Sequence, residues 1–146
     1  MWAIQNQVLT IVVATLVLLI GFLGVMMVTG VGDLGFFEPS DQQKRSAAIF
    51  QLNLERPKDL GNGMQLDQVS SSGNGVVYQF TLTQVSSSQV DTGDFYNAVF
   101  ETSHSQICSQ PDLRAFINED GGFVEAAYLG NDGVFITSIR FDESTC

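Results

Sequence analysis

An uncharged run of apolar residues constrains the fold of this chain more than any other feature. Residues 8–30 read VLTIVVATLVLLIGFLGVMMVTG, in which three threonines are the only polar side chains. As an α-helix rising 1.5 Å per residue, this run is long enough to cross a hydrocarbon core of about 30 Å. A buried helix of a globular domain rarely stays apolar on every side over such a length. The run therefore predicts a transmembrane helix.

The residues that flank this run fit a retained membrane anchor. Residues 1–7 carry no Lys or Arg, and the apolar run is longer than the core of a cleaved signal peptide, so we expect no cleavage. Gly21 and Gly24 are candidates for close packing against a partner helix. The candidate interface anchors are the aromatic residues on either side of the run: Trp2, Phe36 and Phe37.

The charge of the chain lies entirely outside the apolar run. Of the ionisable side chains, 16 are Asp or Glu and 6 are Lys or Arg, which gives a net charge of −10, and all of them lie between Asp33 and Glu143. An acidic domain is repelled by phosphate backbones and by anionic lipid surfaces, so we expect no nucleic-acid partner. A short uncharged head and a large acidic tail favour export of the tail across the membrane.

These patterns divide the chain into three units. Residues 1–31 form an amino-terminal membrane unit, residues 32–39 a glycine-rich juxtamembrane hinge, and residues 40–146 an exported acidic domain.

The exported domain has signals for helices and hairpins in a definite order. A capping box of Ser40 and Gln43 predicts a helix that runs to about Asn53, with Ala47, Ala48 and residues 50–54 as its apolar contacts. Two hairpins and two intervening helices follow: 64–85, 91–108, 111–118 and 123–141. This order predicts an α+β fold, a four-stranded antiparallel sheet with helices on one face, after one transmembrane helix.

Alternation along the strands identifies the core. Every second residue from Val76 to Leu82 is apolar, including Tyr78 and Phe80, so this set should face inward. In the second hairpin we expect Phe135 to share the inner face with Ile139 and Phe141.

Two cysteines, Cys108 and Cys146, point to an oxidising compartment. In an exported domain an even pair is first interpreted as a disulfide. The alternative is a metal site, because His104 stands four residues before Cys108, but three soft ligands make an incomplete set.

No pattern in the sequence predicts catalysis. His104 is the only histidine, Glu101 lies three residues before it, and neither Ser103 nor Ser105 lies in a nucleophile motif. The acidic clusters at 91–94, 118–121 and 131–133 lack the spacing of a calcium loop and are explained by turns and helix caps. We therefore expect no enzyme activity, no metal and no cofactor.

Three short stretches resemble a loose group of small single-span bacterial envelope proteins of unknown function. They are VVYQF at 76–80, ICSQPDLR at 107–114 and DESTC at 142–146. The resemblance implies an envelope location and a Cys108–Cys146 bridge. Type IV pilins also join an apolar helix to an α+β head with a disulfide, but this chain has no basic leader, and Gln5 stands where a mature pilin has Glu.

We expect a non-catalytic, single-pass accessory or structural subunit of a larger bacterial membrane protein complex. Its helix would lie in the lipid bilayer of the inner membrane and dock on helices of other membrane subunits, with the amino terminus cytoplasmic and the acidic domain periplasmic. Two alternatives are a stand-alone envelope binding or assembly-factor domain and a pilin-like filament subunit.

Overall fold

The structure, a computed structural model, describes residues 41–119 and 121–146. Its elements, in chain order, are α1 (Asp41–Asn53), β1 (Lys58–Asp59), β2 (Met64–Ser72), β3 (Gly75–Leu82), a short 3-10 helix (Ser87–Gln89), α2 (Thr92–Ser109), α3 (Pro111–Glu119), β4 (Val124–Gly130) and β5 (Phe135–Phe141).

The strands form one mixed sheet in the order β1-β2-β3-β4-β5. The two predicted hairpins are present as β2–β3 and β4–β5, and β1 pairs antiparallel with β2. Strands β3 and β4, however, are parallel neighbours. The prediction of a four-stranded antiparallel sheet is therefore wrong in strand number and in strand direction.

Chain connectivity explains both differences. Helices α2 and α3 carry the chain back to the starting end of β3, so Val124 lies opposite Val76 and β4 runs in the same direction as β3. A crossover of this length is what parallel strands require. The fifth strand, β1, consists of Lys58 and Asp59 alone, which is too short to show any alternation.

One face of the sheet carries the core. The predicted inward set is confirmed, since Val76, Tyr78, Phe80 and Leu82 are all buried. Tyr128 of β4 lies opposite Phe80 and is fully buried, with the two ring centroids 5.3 Å apart.

Helix α2 packs on this same face. Asp91 caps it by accepting a hydrogen bond from the amide of Asp94 at 2.9 Å, as the sequence predicts. The Phe95 ring meets Tyr128 edge-on at 5.1 Å, and the Phe100 ring stacks on Phe141 at 5.6 Å.

Helix α1 packs on the core by fewer residues than predicted. Ile49 and Leu52 contact the core, whereas Ala47, Phe50 and Leu54 are exposed. The helix contacts the sheet mainly along β2, so the opposite side of the helix faces away from the domain.

In the part of the chain that the structure describes, no helix combines the length and the apolar character that a membrane span needs. The predicted transmembrane helix at 8–30 lies outside the described residues. So do the other predictions for the amino-terminal units: the hinge at 32–39, the packing candidates Gly21 and Gly24, and the anchors Trp2, Phe36 and Phe37. For the described residues the fold is a five-stranded mixed sheet with three helices.

Candidate functional site

The predicted disulfide is present. Cys108, at the end of α2, is bonded to Cys146, and the two Cα atoms lie 5.2 Å apart. The bond joins a helix to the segment that follows β5, so it ties the carboxy-terminal residues to the body of the domain.

His104 belongs to the same attachment. Its Nε2 donates a hydrogen bond to the carbonyl oxygen of Thr145 at 2.7 Å. The Ser103 hydroxyl is buried and donates to the carbonyl of Val99, and the Ser105 side chain is exposed. The histidine therefore supports the closing turn that precedes Cys146.

Two of the acidic segments act as a cap and a turn, as predicted: Asp91 caps α2, and Asp132 stabilises the turn before β5. Asp132 accepts hydrogen bonds from the Ser87 hydroxyl at 2.8 Å and from the Val134 amide at 3.2 Å, and these bonds hold the pKa of its carboxyl below the usual range. Across residues 41–119 and 121–146 no group of three or more His, Cys, Asp or Glu side chains could hold a metal ion.

Several large apolar side chains are exposed on the surface and are not part of the hydrophobic core. Two pairs stand out: Phe50 on α1 with Leu54 directly after that helix, and Val134 with Phe135 at the β4–β5 connection. Exposed apolar clusters of this kind are typical of interaction surfaces.

A β-bulge exposes Phe135. Tyr128 lies opposite Thr137 and Leu129 lies opposite Phe135, so Ile136 is an extra residue in β5. The extra residue puts Ile136 in the core and leaves Phe135 with 59% of its surface exposed. The prediction that Phe135 shares the inner face with Ile139 is therefore wrong.

Strand β5 also forms an outer edge of the sheet. It pairs with β4 on one side, and no described backbone group pairs with the strand on its other side. Arg140 is the only charged side chain in β5. We call Val134, Phe135 and the unpaired side of β5 the β5 edge surface.

The opposite edge of the sheet is blunted. Strand β1 has only two residues, Lys58 and Asp59, both charged, and Pro57 precedes them. Short strands, charges and proline are the usual protection of a sheet edge against pairing with another chain. Strand β5 has seven residues, no proline and one charge, Arg140, and its only other edge protection is the bulge at Ile136.

The turn before β5 is held in place by the rest of the domain. The Asp132 carboxylate binds the amide and the hydroxyl of Ser87, and the Asn131 amide donates to the Val85 carbonyl at 2.9 Å. Val134 and Phe135 are thus presented from a fixed turn, which lowers the entropic cost of binding a partner.

Comparison with protein-family models and with curated proteins finds no match. Among solved structures, a Pseudomonas aeruginosa protein described as secreted is 12% identical, with a TM-score of 0.56 over 69% of this chain and 88% of that one. EpsS, the pilotin of the Vibrio vulnificus type 2 secretion system, is 18% identical, with a TM-score of 0.52 over 69% and 86%. AspS, a type II secretion system pilotin of Vibrio cholerae, is 15% identical, with a TM-score of 0.48 over 68% and 86%.

The chain shares its fold with the first two of these proteins. At these identities the likeness concerns the fold alone, and it agrees with the five-stranded sheet described above.

Proposed function

We propose that this protein is a non-catalytic accessory or assembly factor of a bacterial envelope protein complex, and that a partner chain docks on its β5 edge surface. The observation that carries this proposal is an unpaired, almost uncharged outer strand beside two exposed apolar side chains, Val134 and Phe135. An extended segment of a partner can add a strand to such an edge, with apolar pockets or contacts for its side chains.

The fold comparison supports the accessory role. One protein with this fold is a pilotin of a type 2 secretion system, and another is described as secreted. Both serve as analogies only, because their identity to this chain is below one fifth.

The chemistry of the chain supports a location in the bacterial envelope. The Cys108–Cys146 disulfide suits an oxidising compartment, and the uncharged residues 8–30 are the predicted means of attachment to the inner membrane. In this arrangement the acidic domain lies on the periplasmic side, where it can reach the outer face of a membrane complex.

Site-specific cross-linking tests the docking surface. The photoreactive residue benzoylphenylalanine replaces Phe135 in the full chain, in its native host, and the cross-linked products are identified by mass spectrometry. The matched control places the same residue at Tyr96, which is also an exposed aromatic residue but lies on α2. We expect one envelope protein to be cross-linked from position 135 and not from position 96.

A second variant and a second measurement test the docking surface independently. With the photoreactive group at Val134, the substitution Phe135→Asp should lower the yield of the same product several-fold. Purification in mild detergent followed by native mass spectrometry should recover the protein with that partner. Recovery of the monomer alone, or equal cross-linking from positions 135 and 96, contradicts the proposal and favours a domain that acts by itself.

A further inference from the structure

Positive charge in this acidic protein is concentrated in one short stretch. Residues 41–58, which comprise α1 and the start of β1, carry four basic and two acidic side chains. Residues 59–146 carry two basic and twelve acidic ones. The whole chain has a net charge of −10, but the stretch formed by α1 and the residues just after it has a net positive charge.

The outward side of α1 carries one of these basic side chains, Lys44, beside apolar surface, whereas Arg45 donates a hydrogen bond to the Asn74 carbonyl at 2.8 Å. Lys44, Ala47, Phe50 and Leu54 follow one another at intervals of three, three and four residues, and all four are exposed. The first three lie on one side of α1, and Leu54 follows the helix directly, in a turn where its amide donates to the Gln51 carbonyl at 3.2 Å. Phe50 and Leu54 have 62% and 60% of their surface exposed. We call these four residues the α1 outer stripe.

The other side of α1 is already occupied by the domain itself. Ile49 and Leu52 pack on the core, and the Asn53 side chain binds both backbone groups of Val69. The α1 outer stripe therefore faces away from the domain in a fixed orientation.

The chain that precedes α1 keeps this helix close to the predicted membrane segment. The apolar run ends at Gly30 and α1 begins at Asp41. An extended chain advances at most about 3.3–3.6 Å per residue, so the chain from Gly30 to Asp41 can separate α1 from the end of the run by no more than about 40 Å.

We propose that the α1 outer stripe lies on the surface of an anionic lipid bilayer, with Phe50 and Leu54 in the headgroup region and Lys44 beside the lipid phosphates. Apolar side chains next to basic ones are the two elements of interfacial helix binding. Acidic side chains that lie farther from the stripe than the Debye length of about 8–10 Å are screened and weaken this contact little. The blunted β1 edge then lies on the membrane side, and the β5 edge surface lies at the other end of the sheet.

Lipid cross-linking tests this orientation with the full chain reconstituted alone in vesicles. Benzoylphenylalanine replaces Phe50 in one variant and Phe135 in the matched control, which has almost the same exposed fraction. The vesicles contain either phosphatidylcholine with about a third of phosphatidylglycerol or phosphatidylcholine only. On the anionic vesicles we expect the yield of lipid adduct to be at least fivefold higher from position 50 than from position 135.

The contributions of the lipid charge and of Lys44 are measured separately. The adduct yield from position 50 should fall several-fold on neutral vesicles, and also on anionic vesicles when Lys44→Glu is added. Equal yields from positions 50 and 135, equal yields on the two kinds of vesicle, or cross-linking of position 50 to a second protein chain in place of lipid would each overturn the proposal. Because no partner protein is present, these outcomes are independent of the docking proposed for β5.

Discussion

The Tyr128 hydroxyl group is a polar atom at the centre of an apolar core. It is fully buried between Phe80 and Phe95, and it has no hydrogen-bond partner among the described residues. An unsatisfied buried hydroxyl costs about 1–3 kcal/mol. Burial also raises the pKa of this phenol well above its ordinary value of 10, because the ionised form would be desolvated.

We expect Tyr128→Phe to stabilise the domain by about 1 kcal/mol at pH 8, since the ring contacts remain and only the unsatisfied oxygen is removed. The free energy of unfolding from urea titrations measures the effect. A variant that is less stable than the parent protein would show that the hydroxyl group has a partner, such as a buried water.

The same substitution should change the response to alkaline pH. Burial raises the pKa of Tyr78 as well as that of Tyr128 in the folded state, so both phenols keep their protons there while the unfolded chain loses them above pH 10. The unfolded state then binds fewer protons, and stability falls as the pH rises through 10. Unfolding free energies between pH 8 and pH 11 should fall less steeply for Tyr128→Phe, which retains only the contribution of Tyr78.

Single residues differ in how far their roles follow from the sequence. The Cys108–Cys146 pair was predictable because two cysteines in an exported domain leave few alternatives. The exposure of Phe135 was not predictable. It depends on a β-bulge at Ile136, and the local alternation of apolar and polar residues does not indicate an extra residue. The side on which Phe50 lies was equally hidden, since α1 has apolar residues on both sides.

At the scale of the elements, an asparagine joins α1 to the sheet. Strand β1 pairs with β2 only at Gln65 and Leu66, so the backbone of Val69 has no strand neighbour on that side. The Asn53 side chain takes this place. Its Nδ2 donates to the Val69 carbonyl at 2.6 Å, and its Oδ1 accepts from the Val69 amide at 2.9 Å.

We expect Asn53→Ala to lower the free energy of unfolding by about 1–3 kcal/mol, because two partly buried backbone groups lose their partners. Gln51→Ala is the control, since Gln51 is exposed on the same helix. Chemical denaturation and amide hydrogen exchange of α1 check the result. Equal stability of the two variants would mean that Asn53 does not hold the helix on the sheet.

The sequence contains local signals for most of the helices and strands but none for the order and direction of the strands in the sheet. Asp91 and Pro111 marked two helix starts, and the turn sequences marked both hairpins. The parallel pairing of β3 with β4 depends instead on the length and path of the two helices between them, which no single motif records. Strand β1 was missed because Lys58 and Asp59 become a strand only by contact with β2.

At the scale of the whole molecule, the disulfide stabilises the domain by restricting the unfolded chain. Cys108 and Cys146 are 38 residues apart, for which the loop-entropy relation gives about 4 kcal/mol. The double variant Cys108→Ser/Cys146→Ser should lose about 2–4 kcal/mol of unfolding free energy.

Thermal unfolding with and without dithiothreitol provides the control for this prediction. The reductant should lower the Tm of the parent protein and leave the Tm of the double variant unchanged. A parent protein that is insensitive to the reductant after denaturation and refolding would contradict it.

The two interaction surfaces that we propose for the molecule differ in chemistry. The α1 outer stripe combines one basic residue with apolar ones and follows the predicted membrane segment. The β5 edge surface is nearly uncharged and belongs to the sheet edge farthest from β1. A bilayer contact at α1 therefore leaves β5 accessible to a protein partner, and the two proposals are geometrically compatible.

The parallel β3–β4 pair has a consequence for the biosynthesis of the protein. Strand β3 emerges from the ribosome together with β2, but its second neighbour, β4, emerges only after α2 and α3 have been made. Until then β3 has one unpaired edge and lacks the cover of α2, although α1 is already present beside β2, and an unpaired strand edge promotes aggregation of nascent chains. The sheet can therefore be completed only after α2, α3 and β4 have been synthesised.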